Sequence, residues 1–277
     1  MLIRKMTSAD IPLGMRLKAE NGWNQLEADW RRQLDLEPDG GLVAEIDGQG
    51  VGTACACVFG DIAWISMVLV DKAVRGQGIG TALMQQVVQL LDGRGVATIR
   101  LDATPLGRPV YEKLGFLGDF GLTRYEGTMK TTETVAGVLP MFAGDLPAVC
   151  ELDESVTKTC REKLLRRLFE AMPGQMRKYV AANRLQGFCL CRPGAHGWQI
   201  GPLVGEPDAG RALLIDAAKR FTGQRVYADL PVDHPWAGNL VKSLGLKVQR
   251  PFLRMSRGKR MREDLLRLWA SGGPEKG

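Results

Sequence analysis

The chain has 277 residues, 45% of them hydrophobic and 25% charged, with a formal net charge of +6. That length accommodates two medium-sized domains, and that composition is the one of an ordinary globular protein. No apolar run approaches the roughly 20 residues of a membrane span, and Met1-Leu2-Ile3-Arg4-Lys5 lacks the apolar core of a signal peptide; a soluble cytoplasmic protein with no membrane partner is expected.

In chain order, a first helix opens at Ile11-Pro12-Leu13 after Asp10, and Gly22 breaks it just before Trp23 and Asn24. The run Ile62 to Val70 (IAWISMVLV) is apolar and rich in β-branched residues, so it reads as a buried strand. Arg75-Gly76-Gln77-Gly78-Ile79-Gly80-Thr81 follows, and then Ala82, Leu83, Val87, Leu90 and Leu91 fall at helical spacing. A glycine loop between strand and helix lets successive backbone N–H groups turn toward one point, and the first helical turn adds its unpaired N–H groups and positive dipole end. This is an anion cradle, and a pyrophosphate is its natural guest. A P-loop would need Gly-Lys-Ser/Thr, and Gly80-Thr81 lacks the lysine. A dinucleotide fingerprint would need G-x-G-x-x-G, whereas Gly76, Gly78 and Gly80 give G-x-G-x-G. A flexible turn is the plainer alternative.

Next come a strand over Val96 to Leu101, the turn Asp102-Ala103-Thr104-Pro105, and a helix-like Tyr111-Glu112-Lys113-Leu114-Gly115-Phe116, where Gly115 reads as a C-cap. The pattern R-x-x-G-x-G in Arg75, Gly78 and Gly80, followed one strand later by Tyr-Glu-Lys-Leu-Gly-Phe, resembles the two signatures of the GNAT superfamily of N-acetyltransferases. The resemblance implies an α/β (α+β) fold, a twisted mixed β-sheet flanked by helices. It implies acetyl-coenzyme A as co-substrate, held by Val68, Leu69 and Val70 through the pantetheine amides and by Arg75 to Thr81 through the phosphates. It also implies Tyr111 as the acid that protonates the departing thiolate; a core aromatic with a satisfied hydroxyl is the other reading of that residue. An asparagine often precedes the tyrosine by seven positions in that superfamily; Thr104 stands there instead, and the resemblance implies it as a cofactor-binding residue.

The six cysteines are Cys55, Cys57, Cys150, Cys160, Cys189 and Cys191, with both C-x-C pairs in strand-like segments. With only His196 and His234 beside them, the spacing does not suit zinc, and buried free thiols in a reducing compartment are expected, with no metal. The basic runs at Arg161 to Arg167 and Arg254 to Arg262 carry no interleaved stacking aromatics. A solvated basic face is expected there rather than a nucleic-acid partner.

The second half repeats the first. Leu114-Gly115-Phe116 matches Leu244-Gly245-Leu246, Leu69-Val70 matches Leu203-Val204, Leu83 matches Leu213, and Val43 to Cys57 matches Val180 to Cys191. Two tandem domains follow, 1–130 with the glycine loop and 131–277 as a degenerate copy, joined at the polar Lys130-Thr131-Thr132-Glu133. The second copy is expected to open with a strand over Thr134 to Leu139 and a helix at Gly144-Asp145-Leu146-Pro147. Its tail is expected to be helical over Lys259 to Ala270 and disordered over Ser271 to Gly277. Glu206-Pro207-Asp208-Ala209-Gly210 replaces the cradle, and Val241 replaces the tyrosine. Carboxylates repel phosphate and Pro207 offers no N–H, so this copy is expected to have lost cofactor binding.

Acetyl transfer asks a neutral amine to attack a thioester while an oxyanion develops, so an N–H among Val68 to Val70 is expected to face that oxygen. The base that takes the amine proton is not singled out among Asp61, Asp102, Glu20 and Glu45. In GNAT-like domains the connection between the first two helices covers the acceptor, which points to Trp23 and Asn24; a core tryptophan is the alternative. His234 or Trp236 of the second copy is a further candidate for closing that pocket. The resemblance thus implies an N-acetyltransferase acting on the amine of a small molecule or peptide in a ternary complex. An acyl-coenzyme A sensor or interaction module without turnover is the competing class.

Overall fold

The computed structural model describes residues 1–275; Lys276 and Gly277 lie outside the described residues. The chain packs as two compact units, Met1–Gly118 with Arg254–Arg260, and Asp119–Leu253 with Met261–Gly277. The division expected after Lys130 follows the linear repeat. The packed units instead divide after Gly118, and a short late segment counts with the first.

The first unit carries β1 (Leu2–Lys5), α1 (Ile11–Glu20), α2 (Glu27–Leu36), β2 (Gly41–Ile46), β3 (Gln49–Phe59), β4 (Ile62–Val70), α3 (Ile79–Gly93), β5 (Thr98–Ala103) and α4 (Arg108–Lys113). Strands β1 to β4 are antiparallel neighbours in sequence order, and β5 lies parallel to β4, as the crossover through α3 allows. Residues Arg254–Gly258 form the next strand beyond β5. Ile11, Leu17 and Trp30 of α1 and α2 pack with Val43, Cys55, Met67 and Leu69 of the sheet. Gly14 permits that contact, since a Cβ there would stand 2.8 Å from the Trp30 indole. On α3, Leu83, Met84, Val87, Val88 and Leu91 are buried, the 3.6-residue stripe that the sequence carries.

The second unit holds β6 (Leu117–Thr128, from Asp119 onward), β7 (Val138–Pro140), α5 (Leu146–Thr157), α6 (Glu162–Ala171), β8 (Met176–Ala181), β9 (Arg184–Arg192), β10 (Trp198–Gly205), α7 (Pro207–Arg220), β11 (Arg225–Pro231), α8 (Ala237–Ser243), β12 (Leu246–Gly258, up to Leu253) and β13 (Leu268–Ala270). Strands β7 to β10 pair antiparallel, β10 is parallel to β11, and β6 pairs antiparallel with β11. The opening strand is shorter than expected, three residues from Val138.

The tail departs from the sequence expectation. Lys259 to Arg267 contains no helix, and Leu268–Ala270 is a strand paired with β10. Leu268, Trp269 and Ala270 are all buried, so an apolar spacing that imitates a helix is used by a strand enclosed on both faces. The following segment is not disordered through its described part: Ser271 is buried, and Glu275 is ion-paired with Arg192. Among the described residues no helix is long and apolar enough to cross a membrane.

Candidate active site

The site forms where β4 parts from β5. Their parallel register runs only from Ile62↔Thr98 to Trp64↔Arg100, so Ile65 to Val70 present an edge that β5 does not cover. A bulge bends β4 at that point. The register with β3 steps from Cys55↔Ser66 to Thr53↔Leu69, and Met67 takes φ +52°, a left-handed conformation that an unbranched side chain tolerates poorly without local support. Thr53 supplies that support, its hydroxyl donating to the Met67 carbonyl at 2.8 Å. The bulge re-aims the backbone of Val68 and Leu69. Val68 and Val70 are half-buried and Leu69 is buried, so what the edge offers a ligand is backbone rather than side chain.

At the end of β4, the carboxylate of Asp71 accepts from Ala73 N–H at 2.9 Å and starts the loop. Gly76 and Gly78 have φ +80° and +81°, and a Cβ on either would meet nothing within 4 Å. These glycines are therefore required by backbone conformation and leave open space above the loop. Gly78 is the N-cap of α3, so the N–H groups of Ile79, Gly80 and Thr81 have no carbonyl one turn earlier to bond. Ile79 is buried, which leaves its N–H as the part able to face an anion. Gln77 is exposed. Arg75 does not hang free: its Nε donates to the Val70 carbonyl at 3.1 Å and its Nη2 to Asn21 Oδ1 at 2.7 Å, tying the loop to the end of α1. The Val70 carbonyl is thereby engaged.

Tyr111 sits on the short α4, its ring 6.2 Å from that of Phe116. Gly107 lies beside the phenol; a Cβ there would stand 3.0 Å from the Tyr111 hydroxyl. The side chain is half-buried, and the protein around the phenol pushes its pKa up to about 12, with burial as the cause. It therefore holds its proton throughout the neutral range, as an acid must. Thr104 holds the turn that leads into this helix, its hydroxyl accepting from the N–H of the N-cap residue Gly107 at 3.2 Å.

Of the acceptor-side residues, Trp23 is half-buried and packs against the cluster that contains Met67 and Leu69. Asn24 is buried and leaves little surface for an acceptor. The four candidate carboxylates separate clearly. Asp102 is held by Arg254, both side chains 1% exposed. Glu45 is paired with Arg4. Asp61 is exposed at the opposite end of β4, its carbonyl accepting from Ala97 and Thr98 N–H. Glu20 bonds Arg16 through Oε1 while Oε2 is enclosed without a partner. Sequence reasoning missed Arg254, Thr53 and Gly107. The first had one available signal: Arg254 and Arg124 stand at the same offset of 130 as Gly245 and Gly115.

The second copy lacks these parts. No positive-φ residue stands among Val204, Gly205 and Glu206 at the head of α7, which starts at Pro207. Val241 is buried where the repeat would place a tyrosine. The registers also refine the repeat, because Cys55 opposite Ser66 and Cys191 opposite Ile200 each stand just before a bulge. Cys55, rather than Cys57, is therefore the partner of Cys191. All six cysteines are free, with Cys160 exposed. No group of three or more metal-ligating side chains occurs among the described residues.

Two family models match the chain, Acetyltransferase (GNAT) family over residues 14–116 and Acetyltransferase (GNAT) domain over residues 149–270. The chain belongs to the GNAT family of acetyltransferases. An acetyltransferase of Pectobacterium atrosepticum is 34% identical over 93 residues, 34% of this chain and 66% of that protein. An aminoglycoside 2'-N-acetyltransferase of Mycolicibacterium fortuitum is 32% identical over 148 residues, 48% of this GNAT chain and 72% of the relative. A Pyrococcus horikoshii protein provisionally designated an acetyltransferase has a crystal structure that matches with TM-score 0.86 at 25% identity, covering 100% of this chain and 95% of its own.

Proposed function

We propose that the first unit transfers an acetyl group from acetyl-coenzyme A to the amine of a small molecule or peptide, directly and in a ternary complex. The supporting observation is the coincidence of an open glycine cradle at the head of α3, an uncovered bulged edge on β4, and a protonated Tyr111. Gly76, Gly78 and the N–H groups of Ile79 to Thr81 receive the pyrophosphate, with Arg75 and Gln77 at the rim. Val68 and Leu69 bond the pantetheine amides, and one of their N–H groups faces the developing oxyanion. Tyr111 gives its proton to sulfur as the C–S bond breaks. Trp23 forms an apolar wall on the acceptor side. Thr104 contributes by fixing the start of α4.

Titration calorimetry with acetyl-coenzyme A is expected to return one site per chain, lost in Gly78→Glu, which puts a carboxylate where phosphates approach, and kept in Asp208→Ala. Free thiol released from acetyl-coenzyme A in the presence of an amine panel tests turnover. The panel includes amino sugars, because one relative is an aminoglycoside 2'-N-acetyltransferase. Tight coenzyme binding with no thiol release from any amine or peptide would favour the sensor.

A further inference from the structure

The second unit keeps the bulge and the parting strands but not an empty groove. Its β10 steps from Cys191↔Ile200 to Cys189↔Leu203, with Gly201 at φ +129°, in the place of Met67 of the first unit. Parallel pairing with β11 stops at Ile200↔Ala228. Beyond that point the chain's own β13 lies between the two strands. It pairs antiparallel with β10 at Leu203↔Ala270 and Val204↔Leu268. Gly205 N–H donates to the Arg267 carbonyl at 2.9 Å, and Ser271 N–H donates to the Asp229 carbonyl of β11 at 2.8 Å.

Two glycines are shaped to this segment. A Cβ on Gly201 would stand 2.0 Å from the Ser271 carbonyl oxygen, and one on Gly210 would stand 2.0 Å from the Trp269 indole. Gly210 occupies the first part of α7, where glycine is a poorer helix former than alanine. In the repeat it corresponds to Gly80 of the cradle. Trp269 thus covers the turn of α7 that a phosphate would approach, and its indole N–H donates to the Gly205 carbonyl at 3.2 Å. Pro202, in the position of Val68, has no N–H to offer a thioester oxygen.

We propose that the second copy has become a peptide-strand site, whose resident ligand is this chain's own segment from Asp264 to Ser271. The segment takes the edge of β10 that a pantetheine arm would use. Main-chain bonds on both sides supply affinity, and the Trp269 pocket over Gly210 supplies specificity, the division of labour of strand addition.

The test uses a chain ending at Arg262 and a synthetic peptide of residues 263–277. Truncation is expected to lower Tm and to create a binding site for the peptide in trans, which restores Tm; the peptide carrying Trp269→Gly is expected to bind more weakly. Should the truncated chain fail to fold, Gly210→Ala in the full chain decides, because alanine favours the helix yet collides with Trp269. Hydrogen exchange is expected to show loss of protection at Gly205 and Ser271, with the β8–β9 ladder unchanged and protection recovered in Gly210→Ala/Trp269→Gly. An unchanged Tm on truncation, or wild-type protection in Gly210→Ala, overturns the proposal.

Discussion

Arg254 and Asp102 stand 152 positions apart and form a two-pronged ion pair inside the first unit, Nε to Oδ1 at 2.8 Å and Nη2 to Oδ2 at 2.9 Å. The Arg254 guanidinium also lies 4.7 Å from the Trp64 ring. The repeat reproduces the arrangement in the second unit, where Arg124 of β6 bonds both oxygens of Asp229 at 2.7 Å. Each aspartate on the fifth strand of its copy is therefore held by an arginine from the sixth strand of the other copy, Arg254 of β12 or Arg124 of β6. The strand ends are exchanged along the chain, and the carboxylate is committed before any substrate arrives.

Removing one partner of such a pair leaves a buried charge uncompensated, which costs about 3 to 5 kcal/mol. Asp102→Asn is expected to lower Tm sharply, and Asp102→Leu with Arg254→Met to recover most of the loss. If Asp102 were instead the general base, its variant would keep Tm and lose turnover.

Tyr111→Phe is expected to lower kcat by about 10²- to 10⁴-fold with little change in coenzyme Kd, since the hydroxyl matters as sulfur becomes negative. Burial raises the folded-state pKa to about 12 from the ordinary 10.0. The proton is thus retained longer in the folded state. This group's contribution to stability is complete below pH 10 and is lost as pH rises toward 12. An alkaline pH–Tm series compared with the Tyr111→Phe chain checks the sign. Unchanged kcat would make Tyr111 a structural aromatic.

Gly107→Ala is a subtler probe of the same phenol. Its φ is −80°, so alanine fits the backbone, yet the new Cβ would come within 2.9 Å of the Tyr111 ring. Turnover is expected to fall while stability changes by less than about 1 kcal/mol. Wild-type kcat in this variant would show that the ring position is not critical.

Trp23→Ala is expected to raise KM for the amine by about tenfold, or to change which amines are accepted, with coenzyme binding preserved. Because Trp23 also packs on the core cluster, Tm must be measured beside KM. A large Tm loss with unaltered KM would return the residue to the core.

Local signals carried much of this site. Ile62–Val70 is the strand that its composition announces, and the left-handed glycines stand in Gly76-Gln77-Gly78 where the phosphate loop was expected. Gly22 ends the first helix at φ +63°. What escaped was long-range or enclosed. Arg254 carries no mark of its distant partner, and Met67 is an ordinary strand residue until a threonine on β3 stabilises its turn. The tail departs from its pattern for a related reason: the apolar spacing from Leu265 to Ala270 fits a helix until two parting strands compete for its backbone.

Exchange of the strand ends also bears on synthesis. A nascent first copy cannot complete its sheet or neutralise Asp102 when residue 118 leaves the ribosome, because Arg254–Arg260 belong to the same unit. At ordinary elongation speed about 140 further residues take roughly 7 to 28 s. Through that interval the acidic end of β5 is uncapped and the edge beside it is open to other chains. The gene's two halves are thus translated in series but mature together, so a ribosome that stalls in the second half releases an unfinished first half as well.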